Sequence, residues 1–90
     1  MENVIGDNML NLRDIIKINN DNFIVIGKVN YEDKDYFYLA NTNKNNEFKY
    51  CTVNDEYLVE INDSNLIQKL IPLFTDQAMN ELNNYMKMAE

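Results

Sequence analysis

Histidine and tryptophan are absent from this 90-residue chain. Arginine and proline occur once each, as Arg13 and Pro72, cysteine once, as Cys51, and glycine twice, as Gly6 and Gly27. Without histidine there is neither a histidine-based catalytic triad nor an imidazole metal site. One cysteine rules out a disulfide within the chain, which fits a reducing cytoplasm. Two glycines are too few for a loop that cradles phosphate with bare backbone amides, and a single arginine cannot form an anion-binding cluster. Long apolar runs are missing too. No stretch approaches the roughly 18 apolar residues that a membrane span needs, and Met1 to Leu10 has neither a basic start nor an apolar run, so no signal peptide is expected there. Calcium-loop spacing is absent, because Asn43-Lys44-Asn45-Asn46-Glu47 lacks the glycine and the terminal acid. No cofactor and no metal are implied.

Acids outnumber bases, fifteen to eight, for a formal charge of −7. Repulsion from phosphate argues against direct contact with nucleic acid or an anionic membrane, whereas a basic or neutral protein is electrostatically permitted. Plain solubility also accounts for such a charge. The hydrophobic fraction of 46% is that of a globular chain, and its length is that of one domain with a modest core. Asn, Ile, Lys and Tyr are abundant while Ala, Gly, Pro and Arg are scarce. That skew follows AT-rich codons and hints at an AT-rich bacterium or its mobile elements.

Five short β-rich runs follow a polar start. Residues 1–11 read as a loose N-terminal arm or a short edge segment, and 12–90 as a single α+β domain. Strands are expected over residues 14–18, 23–30, 36–41, 48–53 and 57–61, from their β-branched and aromatic content. They are separated by short Asn-, Asp- and Glu-rich turns. Turns this short imply an antiparallel meander. Gly27 inside the second run suggests a bulge or a close approach. After Ile61 the period becomes helical. Asp63 or Ser64 can cap a helix carrying Leu66, Ile67, Leu70 and Ile71. Pro72 is expected to end or kink it, Thr75 and Asp76 to recap the chain, and residues 78–89 to form a second helix. The expected fold is therefore an antiparallel meander of about five strands, with one or two C-terminal helices packed on one face.

Alternation along a strand assigns side chains to faces. With the charged residues placed outward, Ile16, Ile18, Phe23, Val25, Val29, Tyr36, Tyr38, Ala40, Phe48, Tyr50, Tyr57, Val59 and Ile61 point inward, toward Leu66, Leu70 and Leu82. Only a bulge at Gly27 would break the rule. The outward face then holds Ile15, Ile24, Ile26, Phe37, Leu39, Cys51, Val53 and Leu58 beside its charges. A solvated sheet face should be mostly polar, and an apolar patch rimmed by charge commonly marks an interaction site. Three outcomes compete: curling or coverage by the last helix and the arm, a homodimer, or a partner protein. For binding, Ile24, Ile26, Phe37 and Leu39 are the expected apolar anchors, with Glu32, Asp33 and Asp35 as the charged rim. On this assignment Phe37→Asp should leave the fold intact and abolish association.

Other chemistry is thin. Cys51 sits mid-strand with nothing to activate it and reads as a small buried hydrophobe. Asp33-Lys34-Asp35 reads as a solvated turn rather than a divalent site. Tyr36, Tyr38, Tyr50 and Tyr57 could form a stacking platform for single strands, but a basic groove is missing and core packing accounts for them. A catalytic role would need a cleft with carboxylates of raised pKa, and none is indicated, so the protein is expected not to be an enzyme.

The run Tyr31-Glu32-Asp33-Lys34-Asp35-Tyr36, followed by Phe37-Tyr38-Leu39, resembles a family of small acidic proteins of unknown function that is frequent in low-GC Gram-positive bacteria. Phe48 to Tyr50, and Leu58 to Ile61 leading into Asp63 to Leu66, extend the likeness over residues 23–74. The chain departs from the family pattern at Asp33, where glycine is usual, and at the Asn-rich Thr42 to Asn46, where the family has an acidic loop. The resemblance implies a cytoplasmic, non-enzymatic protein and imports no functional residues. The function expected is regulatory or accessory binding to another protein. The alternative is a phage or mobile-element inhibitor, such as an anti-CRISPR or anti-restriction protein, that blocks the basic surface of a nucleic-acid-binding protein.

Overall fold

A computed structural model describes residues 3–4 and 10–88. Its strands are β1 (Asn3–Val4), β2 (Ile15–Ile18), β3 (Asp21–Tyr31), β4 (Lys34–Asn41), β5 (Phe48–Asn54) and β6 (Tyr57–Glu60). They form one antiparallel sheet in the order β1-β6-β5-β4-β3-β2. A single helix, α1 (Ser64–Met88), packs on one face. The fold is α+β, with the five longer strands in the expected meander. The two-residue β1 lies in the stretch that reads as an arm or a short edge segment. It joins the sheet beside β6, so β1 and β2 occupy opposite edges. Of the expected loose arm, residues 5–9 lie outside the described residues, Asn3–Val4 pairs with β6, and Leu10 is buried.

Three hairpins turn on pairs of left-handed residues: Asn19-Asn20, Glu32-Asp33 and Asp55-Glu56, all with φ between 51° and 73°. Two consecutive positive φ values at a two-residue loop are what the twist of a tight hairpin demands. Asparagine and aspartate tolerate this region, whereas glutamate gains little from its longer side chain there. The longer β4–β5 loop is organised by Asn41. Its side-chain oxygen accepts from the amides of Asn43 and Lys44 at 2.8 and 3.2 Å, and its Nδ2 donates to Glu47 and Asp21 at 2.8 and 3.2 Å. Four such bonds explain how this amide can be buried.

The bulge at Gly27 decides the faces. Val25 pairs with Leu39, but Gly27 pairs with Tyr38, so Ile26 is an extra residue. One inserted residue exchanges the two faces for everything on its far side. Beyond it, Val29 and Tyr31 join Tyr36, Tyr38 and Tyr50 under the helix, as alternation predicts. Before it, Phe23 and Val25 join Phe37 and Leu39 on the opposite face. β2 pairs with this earlier half of β3, so Ile16 and Ile18 follow Phe23 to that face. The inward placement of Ile16, Ile18, Phe23 and Val25 is thereby reversed.

Each face thus has its own core. Between α1 and the sheet, Leu70 and Phe74 of the helix pack with Tyr36 of β4, and Val29, Tyr31, Leu66 and Leu73 surround them. The other core contains Phe23, Val25, Phe37, Leu39, Cys51 and Leu58, and Leu10 and Leu12 pack onto it. Two lysines close its margins. Lys28 Nζ stands 6.0 Å from the centre of the Phe37 ring and Lys49 Nζ 5.7 Å from that of Phe23. Their stems cover apolar surface while their charges reach water.

Asp63 is the helix cap. Its Oδ1 accepts from the amides of Asn65 and Leu66 at 3.0 and 3.5 Å. The helix then runs through Pro72 instead of ending there, and Thr75 and Asp76 lie inside it. Proline deprives the Gln68 carbonyl of its usual donor, but Gln68 and Pro72 are both exposed, so water can replace it. Twenty-five residues make a rod about 37 Å long, and its last turns leave the sheet. Leu82 is accordingly half exposed and not a core residue.

Candidate interaction surface

The expected binding set does not stay together. Phe37 and Leu39 are 2% and 0% exposed and belong to the core away from the helix. They cannot be surface anchors, and the reason is that Leu10 and Leu12 cover the face they occupy. Ile24 pairs with Ala40 and so lies on the helix side, half buried. Ile26, the bulged residue, is 43% exposed. Glu32 and Asp33 are exposed at the far end of the β3–β4 hairpin, and Asp35, beside them, accepts from Asn30 Nδ2 at 3.1 Å. These acids sit about seven residues, or roughly 23 Å of strand, from Ile24, so they do not rim it.

The exposed apolar surface has a different location. The sheet floor on the helix side carries Ile15, Ile26 and Phe48, each 43% exposed or more. Phe48 stacks on Tyr38 at 5.4 Å, and Tyr38 on Tyr50 at 4.8 Å. Phe74 descends onto both tyrosines at 5.8 and 5.9 Å. The helix therefore covers one end of this aromatic row and leaves the Phe48 end open. A groove of about 290 Å³ runs between Ile26, Tyr38 and Tyr50 below and Ile71, Thr75 and Ala78 above. A second hollow of about 310 Å³ adjoins it at Ile26, walled by Leu12, Arg13 and Glu81. Farther along, Met79, Leu82, Tyr85 and Met86 are 51–72% exposed. Helical spacing puts them on the side of α1 that also bears Ile71 and Ala78, about a third of a turn away from the sheet-facing line of Leu66, Leu70 and Phe74.

That second stripe is visible in the sequence as the run from Ala78 to Met86. What hid its exposure was Pro72. With the proline read as a break, each stripe could face the sheet on its own helix. In one continuous helix both cannot.

Gln77 ties α1 to the edge that short β2 leaves uncovered: its Oε1 accepts from the Lys28 amide at 2.8 Å. Phe74 needs the bare backbone of Gly27 beneath it. A Cβ there would lie 2.6 Å from Phe74 Cδ1.

Charge gathers at the opposite end of the sheet. The β3–β4 and β5–β6 turns emerge side by side, two strand spacings or about 10 Å apart. They and their flanks hold Glu32, Asp33, Asp35, Asp55 and Glu56 against the single cation Lys34.

Two side chains titrate above their ordinary values. Burial pushes the Cys51 thiol up to about 12, and Glu60 adds to this while Lys49 opposes it. Burial also raises the Tyr38 hydroxyl, helped by the neighbouring Tyr50. Among the described residues no group of three or more acids and cysteines is placed to hold a metal ion. No described helix is long and apolar enough to cross a membrane. The chain matches no protein-family model, no curated protein and no solved structure.

Proposed function

We propose that this is a non-enzymatic regulatory or accessory protein that acts by binding another, basic protein. The observation that carries the reading is the concentration of charge at one end of the sheet, where two left-handed turns, about 10 Å from each other, hold four exposed acids. Acids on tight hairpins are displayed with little freedom left to lose, so their field steers an oppositely charged surface at small entropic expense. Such a partner sits in the cytoplasm in this reading, and neither nucleic acid nor membrane is contacted directly.

The pairing of the carboxylates also favours a second, narrower reading: a phage or mobile-element inhibitor, such as an anti-CRISPR or anti-restriction protein, that occupies a basic nucleic-acid-binding surface. In that case the bound partner loses its nucleic acid as this protein is added.

The test compares immobilised wild type with a variant neutralised at both turns, Glu32→Gln, Asp33→Asn, Asp55→Asn and Glu56→Gln, in lysate of the native host. A basic protein retained by the first, lost by the second and released between about 50 and 500 mM salt supports the reading, because exposed charge is screened over that range. Equal retention by both proteins, or indifference to salt, refutes it.

A further inference from the structure

The apolar surface beside the helix is separate from the acidic end and calls for a different occupant. We propose that it is a dimer interface, covered by a second copy of this chain through antiparallel pairing of the two α1 helices.

Area is the first argument. Eight exposed side chains share this side: three on the sheet floor, Ile15, Ile26 and Phe48, with Ile71 and the four of the helix overhang. At 43–72% exposure each, and with about 200 Å² for a large side chain, they present roughly 850 Å². A stable interface takes about 800 Å² from each partner. A patch of this size left in water would be unusual for a monomer.

Charge is the second. Two copies of a −7 chain repel unless the contact avoids the acids. From Gln77 to Met86 the helix carries one charge, Glu81, which borders the apolar stripe on one side while Asn83 borders it on the other. Glu81 shares its hollow with Arg13. The acidic turns lie at the other end of the sheet. Contact through α1 therefore brings together the least charged part of each surface. A basic partner for this patch has nothing there to attract it.

Geometry chooses the orientation. The last turns of α1 overhang their own sheet, while the floor is open at Phe48 and only partly roofed at Ile26. A twofold axis across the helices, near Ala78, lays the overhang of each copy toward the open floor of the other, and small Ala78 permits a close crossing. A parallel pair would bury the stripes but leave both floors bare. The interface is isologous, so it closes at two copies.

Sedimentation velocity across about 1 to 200 μM protein tests this. The expected result is a species of twice 10.7 kDa that dissociates on dilution, with a thermal midpoint that rises with concentration. Leu82→Glu, on the overhang, should weaken dimerisation roughly 100-fold or more, since each dimer loses two buried leucines and gains two buried charges, while its far-UV spectrum is unchanged. A wild type that stays at 10.7 kDa over the whole range overturns the proposal, and so does a Leu82→Glu variant that remains dimeric. Wild-type behaviour alone decides the matter if the variant fails to fold. The proposed binding function fails separately: the turn-neutralised variant should still dimerise, and monomeric Leu82→Glu should still bind its basic partner.

Discussion

Gly27→Ala isolates the contact that seats the helix. Gly27 is buried at the bulge and its φ lies outside the left-handed region, so proximity and not backbone freedom is what requires glycine. The new methyl would stand 2.6 Å from Phe74 Cδ1, 3.0 Å from its Cε1 and 3.2 Å from Tyr38 Cβ, where ordinary contact begins at 3.4 Å. The Phe74 ring must retreat by about 0.8 Å, yet Tyr38 and Tyr50 already hold it. Overpacking of this kind costs about 1–3 kcal/mol, and the stiffer unfolded chain returns about 0.4–1 kcal/mol. A 2.6 Å contact places the cost in the upper half of the overpacking range, about 2–3 kcal/mol, so the net loss is about 1–2.5 kcal/mol, or roughly 5–20 °C in thermal midpoint for a domain of this size. Urea denaturation followed by far-UV circular dichroism and tyrosine fluorescence measures it. In a Phe74→Leu background the rigid ring is gone, and the penalty of Gly27→Ala should fall below about 0.5 kcal/mol. A neutral Gly27→Ala, or a penalty unchanged by Phe74→Leu, would refute the close approach.

The left-handed turns should respond in the opposite sense. Replacing Glu32-Asp33 by Asn-Gly suits the observed φ values of 52° and 65° and should raise stability by about 1 kcal/mol in the same urea assay; a loss would mean the turn geometry is wrong. Phe37→Asp, harmless if Phe37 were a surface anchor, should instead unfold the domain. A 2% exposed ring contributes about 3–5 kcal/mol even against alanine, and the carboxylate adds desolvation. A cooperative melt near the wild-type midpoint would restore the surface assignment. Cys51 should resist thiol reagents in native buffer and react only as fast as the protein opens, so rapid labelling would contradict its burial. Because the folded thiol titrates at about 12 and its ordinary value is 9.0, the unfolded state releases its proton first as pH rises. Stability should therefore decline from about pH 9 upward, and Cys51→Ala should flatten that decline; an identical pH profile would remove the linkage.

Much of this fold can be read along the chain. Alternating β-branched and aromatic residues, broken by Asn-, Asp- and Glu-rich turns, place the five longer strands within a residue or two of their ends. They also imply antiparallel neighbours, because no turn is long enough for a crossover. Asp63 announces the helix. Two residues carry what was not legible. Gly27 advertises a bulge, but alternation cannot tell whether the residue will insert, and one insertion sends Ile16, Ile18, Phe23 and Val25 to the other face. Pro72 advertises a break, but a proline on the wet side of a helix is tolerated, and its continuity turns the Ala78–Met86 stripe away from the sheet. The excess of apolar surface over internal cover is legible, whereas its position depends on both residues. Hence alternation alone makes anchors of the buried Phe37 and Leu39 and passes over the exposed Leu82 and Tyr85. Two residues have no period, so the sequence leaves β1 as one of two readings of residues 1–11, an arm or a short edge segment.

The placement of β1 and β2 at opposite borders has an implication for how the chain acquires its shape during synthesis. Leu10 and Leu12 are made early, but the surface they shield is not complete until β5 and β6 have left the ribosome. Val4 must likewise wait for Tyr57, its partner fifty-three positions later. The hairpins, whose partners are near in sequence, can assemble at once, and β1, Leu10 and Leu12 then join a finished meander as its final step. Until that step, Phe37, Leu39 and Cys51 face water. A chain whose Leu10 and Leu12 were both made polar would keep its hairpins and yet stay in the sticky condition that the wild type passes through only briefly.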